Sequence, residues 1–286
     1  MQKGKNLAPT VTEQRDEVIA QGNDLIRQAR FSLTALEQNI VYFAMSKIGP
    51  NDKDFMRIHF TVAEFCHVCG IYYEDNPGGR EYKRIKSAIK SLADKSVWVK
   101  FLDGSEVLVR WFDICRVKPN TGEISIIFSL SVKPYLIGLI ERAKSGGEGY
   151  TQILLLTQLA LQSKYSKRMY EVLKSYLYSK GTVAKLYLVN QVEYELSEFK
   201  KLMNAECYDR FPDLRRKVLE TAVREINEVS DIDVSYQVVT RSRKVVGVRF
   251  TFHHKEINDR LLARQAAITA LDGPREKIKK NPIIDS

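Results

Sequence analysis

The strongest constraint on this chain is an internal repeat. Glu64-Phe65 recurs as Glu198-Phe199, an offset of 134 residues. The same offset of 134 carries Ile85, Ala88, Ile89 and Leu92 onto Leu219, Ala222, Val223 and Ile226. The apolar stripe of one helix is thus reproduced in another. Self-similarity at constant spacing implies two copies of one structural unit, a stronger statement than any single helix assignment. A chain of 286 residues is long enough for two domains of ordinary size.

Each copy reads as helix, helix, helix, hairpin. Thr34 with Glu37, and Thr61 with Glu64, have the spacing of reciprocal capping boxes. Leu33, Leu36, Ile40, Phe43 and Ala44 follow the first at helical spacing. Behind the second, a short helix ends near Gly70, a residue suited to a left-handed cap. The loop 74–79 breaks the chain before a third helix at about 81–95. Val97–Leu102 and Glu106–Phe112 form a hairpin through Asp103-Gly104, and a further hairpin turns at 119–122 toward Ile124, Ile126 and Phe128. In the second copy, Val234, Tyr236 and Val238 alternate up to a turn at 241–244, and Val246, Val248, Phe250 and Phe252 alternate back. That order defines an α+β chain of two tandem winged-helix domains related by a pseudo-repeat.

The boundaries expected are a flexible N-terminus at 1–14, a first winged helix at 15–145 and a second at 150–258. A partly disordered tail follows at 259–286. The junction falls at Ser145-Gly-Gly-Glu-Gly149, the richest glycine stretch of the chain. A helix at about 166–179 opens the second domain.

The charge points to a polyanion partner. Lys and Arg outnumber Asp and Glu by 45 to 35, a formal charge of +10, and each cation that neutralises a phosphate releases condensed counterions. A basic surface also serves solubility, so placement decides. Lys83, Lys86, Ser87 and Lys90 share the face of the third helix opposite its core stripe. Their counterparts are Lys217, Glu220, Thr221 and Arg224, with Arg215 and Arg216 near the start of the same helix. In a helix-turn-helix element this helix enters the major groove, where Arg and Lys bond guanine. The second wing tip concentrates Arg241, Ser242, Arg243 and Lys244, positioned for the phosphate backbone or an adjacent minor groove. The first, at Asp103-Gly104, carries no cation, which makes the second domain the better DNA reader. Lys164, Lys167 and Arg168 form a third basic cluster, either a phosphate clamp or a solvated helix start.

No P-loop, His-Glu-x-x-His or Gly-x-Ser-x-Gly motif is present, so hydrolytic chemistry has no recognisable seat. Cys66-His-Val-Cys69 has the spacing of half a zinc site, but no second pair follows, and the cysteines read as small hydrophobes. Tyr170 with Lys174 matches the Tyr-x-x-x-Lys pattern of nicking enzymes. That chemistry also needs a His–hydrophobe–His metal triplet, which is absent, so an amphipathic helix burying Met169, Leu173 and Tyr176 is the preferred reading. No cofactor, metal or enzymatic activity is expected. The start lacks an apolar run and no stretch approaches the ~20 apolar residues of a membrane span, so a cytoplasmic protein without membrane contact is expected. Four cysteines are compatible with reduced thiols there.

Asn23-Asp-Leu-Ile-Arg-Gln-Ala-Arg30, Leu33-Thr-Ala-Leu-Glu-Gln38, Ser163-Lys-Tyr-Ser-Lys-Arg-Met-Tyr-Glu171, Glu198-Phe-Lys200 and Ala222-Val-Arg-Glu-Ile-Asn227 stand in an order that resembles the iteron-binding plasmid replication initiators. The resemblance covers about residues 15–256. It implies binding of direct repeats in double-stranded DNA at a plasmid origin, largely as a monomer, with local strand opening. It also implies a homodimer, joined mainly through the N-terminal domain, that represses its own gene at an inverted repeat. Host initiator, replicative helicase and chaperones are the implied protein partners. By the same resemblance Arg215, Arg216, Lys217, Thr221, Arg224 and the wing 241–244 are the main contacts, with Lys83, Lys86, Ser87 and Lys90 the lesser site. Glu220 either reads cytosine amino groups or pairs with Arg216 or Arg224. A winged-helix transcriptional regulator without a replication role is the alternative.

Overall fold

Alternating apolar residues in two ribbons and 3.6-periodic stripes in the helices give each half of the chain the same plan. The computed structural model describes residues 9–30, 32–49, 52–74, 79–100, 105–118, 121–147, 149–177 and 190–273. It opens with α1 (Val11–Arg15), β1 (Val18–Gly22) and α2 (Asn23–Gln28). The first winged helix follows as α3 (Ala35–Met45), β2 (Ile58–Thr61), α4 (Val62–Val68) and α5 (Arg80–Asp94). The hairpin β3 (Ser96–Lys100) and β4 (Glu106–Arg110) precedes the ribbon β5 (Phe112–Val117) and β6 (Glu123–Phe128). Then come α6 (Lys133–Leu136), α7 (Leu139–Lys144), β7 (Tyr150–Leu154) and α8 (Leu155–Ala160). The second winged helix is α9 (Lys164–Leu177), β8 (Gln191–Glu195), α10 (Leu196–Met203), α11 (Phe211–Leu214), a π-helical segment Arg215–Glu220, α12 (Thr221–Val229), β9 (Ile232–Arg241) and β10 (Lys244–His254). Helix α13 (Ile257–Asp272) closes the described chain.

The repeat is visible in the sheets. Their strand orders, β2-β6-β5 and β8-β10-β9, are equivalent. Ile58 opposite Ile126 and Phe60 opposite Ile124 in the first sheet correspond to Val192 opposite Phe250 and Tyr194 opposite Val248 in the second. The offset is therefore 134 on β2 and 124 on the last strand. The change arises because the first half inserts β3–β4 after its third helix, while the second has the longer ribbon. This corrects the expected first wing: β3–β4 is a separate two-stranded sheet, and β5–β6 is the ribbon equivalent to β9–β10. The turn Asp103-Gly104 and positions 119–120 lie outside the described residues, as do residues 75–78 of the expected 74–79 loop.

Of the two capping boxes, Thr34–Glu37 is reciprocal, with the Glu37 amide 3.2 Å from Thr34 Oγ1 and the Thr34 amide 2.7 Å from Glu37 Oε2. At Thr61 only the hydroxyl caps, at 3.0 Å from the Glu64 amide. Thr61 ends β2 opposite Glu123, and Glu64 turns to Lys47 instead. A third box, Thr10 with Glu13, starts α1. Residues 9–14 are thus ordered in part, with Gln14 buried, contrary to the flexible N-terminus expected up to residue 14. Residues 1–8 lie outside the described residues.

The glycine-rich stretch at 145–149 is not a change of body. Beyond it, β7 pairs antiparallel with β1, and the Asn23 amide donates to Gly149 O at 2.8 Å. A return strand inside the first unit replaces the expected junction. Helix α9 is then packed from both sides, against α2, α3 and β7 on one and α10 and α12 on the other. One continuous core from Ile19 to Leu271 results.

Helix α13 occupies part of the segment expected as tail; residues 274–286 lie outside the described residues. Ala263, Ala267 and Leu271 face inward against α8 and α12. Its middle and its C-terminal end are tied to the first unit by Arg264–Asp16 and Arg15–Asp272, each at 2.7 Å. Gly70 has φ +59°, as its reading as a left-handed cap requires, and a Cβ there would stand 2.3 Å from Leu271 O. Gly70→Ala is accordingly expected to cost at least about 1–2 kcal/mol from the left-handed backbone alone. Displacement of the α13 terminus adds to this. A lowered melting temperature in thermal denaturation checks it; an unchanged one would place α13 elsewhere.

Candidate nucleic-acid interface

The segment 211–229 buries Leu214, Val218, Leu219, Ala222 and Ile226, which turns the opposite face to solvent. Arg215, Arg216, Lys217, Glu220 and Arg224 are exposed there and Thr221 is half-buried. Pro212 in the first turn fixes the entry, where its missing N–H costs no hydrogen bond. The π-helical turn changes the side-chain register. Residues five apart become neighbours, so Arg215 Nε meets Glu220 Oε1 at 2.9 Å and Thr221 Oγ1 donates to Arg216 O at 3.0 Å. Glu220 therefore pairs with Arg215, neither of the two arginines expected from α-helical spacing. Arg216 leans on Asp213 at 3.3 Å, and Arg224 lies 3.9 Å from both Glu225 and Glu228. These exposed pairs are weak and exchangeable for phosphate.

Two aromatic partners escaped the sequence reading. Lys217 Nζ lies 5.3 Å over the Tyr208 ring. Tyr236, on β9, is the neighbour that most raises the pKa of the Arg215 guanidinium, followed by Glu220. Tyr236 was legible only as an alternating strand residue.

The second wing turns through Ser242 (φ 49°) and Arg243 (φ 67°), with Arg241 paired to Lys244. Two left-handed residues in succession suit a two-residue hairpin, normally with Asn and Gly. Ser and Arg there store strain of order 1–3 kcal/mol each, a pattern found at functional sites. All four residues are exposed. In the first unit, Lys83, Lys86, Ser87 and Lys90 are likewise exposed opposite Tyr82, Ile85, Ile89 and Leu92. The described flanks of its ribbon carry exposed Arg116 and Lys118, the latter in an exposed 2.7 Å pair with Glu123.

Lys167 and Arg168 are not phosphate contacts. Both are buried: the Lys167 ammonium donates to Gln158 O, and Arg168 Nη2 to Ala29 O at 2.7 Å. Burial pulls the Lys167 pKa down to about 7. An ordinary amphipathic helix would expose these positions; α9 is enclosed on both sides. The segments 23–30 and 163–171, which carry the family resemblance, meet here. Arg27 Nε reaches Ser175 Oγ at 3.0 Å, and Glu171 lies 3.8 Å from Arg168 and 2.7 Å from Gln21.

Tyr170 is fully buried. Its hydroxyl donates to Asp231 Oδ1 at 2.6 Å, while Lys174 Nζ lies 3.0 Å from the phenol oxygen and 2.7 Å from Asp231 Oδ2. Burial raises the Asp231 carboxyl, but Lys174 and Tyr170 outweigh it and hold the pKa below its usual value. A phenol enclosed in that bridge cannot attack a phosphodiester. Cys66 and Cys69 are buried on α4 and its cap, and burial pushes the Cys66 thiol up to about 12. Among the described residues no group of three or more His, Cys, Asp or Glu is placed to hold a metal. No helix of the described residues is long and apolar enough to cross a membrane.

Two three-stranded winged helices sharing one central helix define a tandem winged-helix protein. Residues 18–174 match the family model for the first winged helix of initiator replication proteins, and residues 195–252 match that for the second. The first match alone covers more than half of the chain, which belongs to the initiator replication protein family. The PI protein of Escherichia coli is 30% identical over 154 residues, 51% of this chain and 47% of that protein. The chain thus spans about half the length of this curated relative. A crystal structure of the Pi initiator protein in complex with iteron DNA shares the fold, with a TM-score of 0.62 at 20% identity, over 85% of this chain and 99% of that one.

Proposed function

We propose that this chain initiates plasmid replication by binding repeated double-stranded sites at the origin, with the second winged helix as the main reader. The observation that carries the reading is the exposed basic row Arg215, Arg216, Lys217 and Arg224, together with the exposed wing at 241–244. The helix row reads bases in the major groove and the wing holds phosphates. Lys83, Lys86, Ser87 and Lys90 supply a second, weaker contact. The Pi initiator protein has been crystallised on iteron DNA, which supports direct repeats as the target. Opening of the origin, repression of the chain's own gene as a dimer, and recruitment of host initiator, helicase and chaperones belong to the same reading. The protein acts by binding and remodelling, without catalysis or cofactor, in the cytoplasm.

A plasmid carrying only this gene and its flanking repeats should replicate in a suitable host. Failure there, with repression of the gene intact, would leave a transcriptional regulator. Neutralising Arg241 and Arg243 together should flatten the slope of log affinity against log salt by roughly 1.8, because each phosphate contact contributes about 0.9. Sequence preference should change little. An unaltered slope would place the wing off the DNA.

A further inference from the structure

Glu220 is the one acidic residue in the groove-facing row, and a carboxylate there repels phosphate. The π-helical turn gives it a defined partner. In α-helical register it would face Arg216; with residues 215–220 in π-helical register it meets Arg215 instead, Nε to Oε1 at 2.9 Å. Tyr236 on β9 stands near enough to the same guanidinium to raise its pKa together with Glu220. Thr221 closes the turn on Arg216 O, which keeps the register from reverting. Exposed arginines ordinarily lose much rotamer freedom on binding. A carboxylate on Nε biases the guanidinium toward one orientation even in an exposed pair, and leaves the terminal nitrogens as the edge offered to a base.

We infer that Glu220 is a positioning residue that orients Arg215 for bidentate recognition of a guanine edge, so that Glu220 contributes discrimination without touching DNA. This rests on the reading of 211–229 as the recognition helix. Glu220 has two opposed effects: it repels the backbone of any duplex, and it sharpens the choice among duplexes. Removing its charge should therefore tighten non-specific binding while blunting specificity.

The test uses the full chain, a duplex carrying one repeat protected from nuclease by the protein, and a scrambled duplex of equal length, compared by fluorescence anisotropy at fixed salt. For Glu220→Gln, affinity for the scrambled duplex should rise several-fold and the ratio of repeat to scrambled affinity should fall about ten-fold, the size of one bidentate contact. In an Arg215→Ala background, Glu220→Gln should leave the ratio where Arg215→Ala alone puts it. A ratio unchanged in Glu220→Gln, while Arg215→Ala lowers it, overturns the positioning role. A further drop in the double variant overturns it too, because Glu220 would then read a base itself. If Arg215→Ala leaves repeat binding unchanged, the assignment of Arg215 as a reader fails instead. Thermal melting of each variant separates these outcomes from a loss of fold.

Discussion

Replacing Glu171 by alanine is expected to remove about 3–5 kcal/mol of stability, the usual cost of leaving a buried charge without its partner. Glu171 is 2% exposed. It accepts from Gln21 at 2.7 Å and faces Arg168 at 3.8 Å. Burial pushes its own pKa up, while Arg168 and Gln21 pull against that rise. Once the carboxylate is gone, Arg168 loses its acidic neighbour on α9 while its bond to Ala29 O remains. Against a typical total of about 5–15 kcal/mol, the loss is large. Because α9 is packed into both halves, urea unfolding of the wild type should follow a single transition, and the variant should shift that transition as a whole. Two separated transitions would contradict the shared helix. Tyr170→Phe gives a calibration: it breaks one hydrogen bond to a charged group and should cost about 1.5–3 kcal/mol. Neither wild type nor variant is expected to cleave DNA.

The second large effect lies on the DNA side. Arg216→Ala and Arg224→Ala should each weaken binding to the repeat by about 1–3 kcal/mol if each reads a base. Their side chains are 70% and 66% exposed, so the fold should be unaffected by circular dichroism. They lie eight positions apart on one helix, far enough for the losses to add closely. The double variant then falls by about 2–6 kcal/mol, leaving little beyond non-specific affinity. Equal weakening on repeat and scrambled duplexes would reduce both residues to phosphate contacts.

Much of this was legible in the sequence, for identifiable reasons. The 134-residue offset marked two equivalent units because the core stripe of a helix tolerates little change in spacing. Exposure of Lys83, Lys86, Ser87 and Lys90, and of the 215–224 row, followed from the stripe on the opposite side. The wing at 241–244 was marked by alternation on either side. Other features carried no local signal. Val18–Gly22 is too short and mixed to announce a strand, and its partner lies more than a hundred residues away. Helix α13 was missed because its large aliphatics, Ile257, Leu261 and Leu262, are exposed while small Ala263 and Ala267 are buried. Lys167 and Arg168 looked solvated because buried cations are rare, and only the enclosure of α9 by both halves accounts for them. The π-helical turn has no composition of its own, so the partner of Glu220 was beyond reach of spacing rules. The Asp-Gly signal drew the first wing to the wrong hairpin.

The most direct test is nuclease footprinting of the purified chain on the DNA flanking its gene. Protected, directly repeated segments, each losing protection in Arg216→Ala/Arg224→Ala, are the result predicted for an initiator that reads DNA through its second winged helix. Protection absent from that DNA, or persisting at the same sites in the double variant, would contradict it.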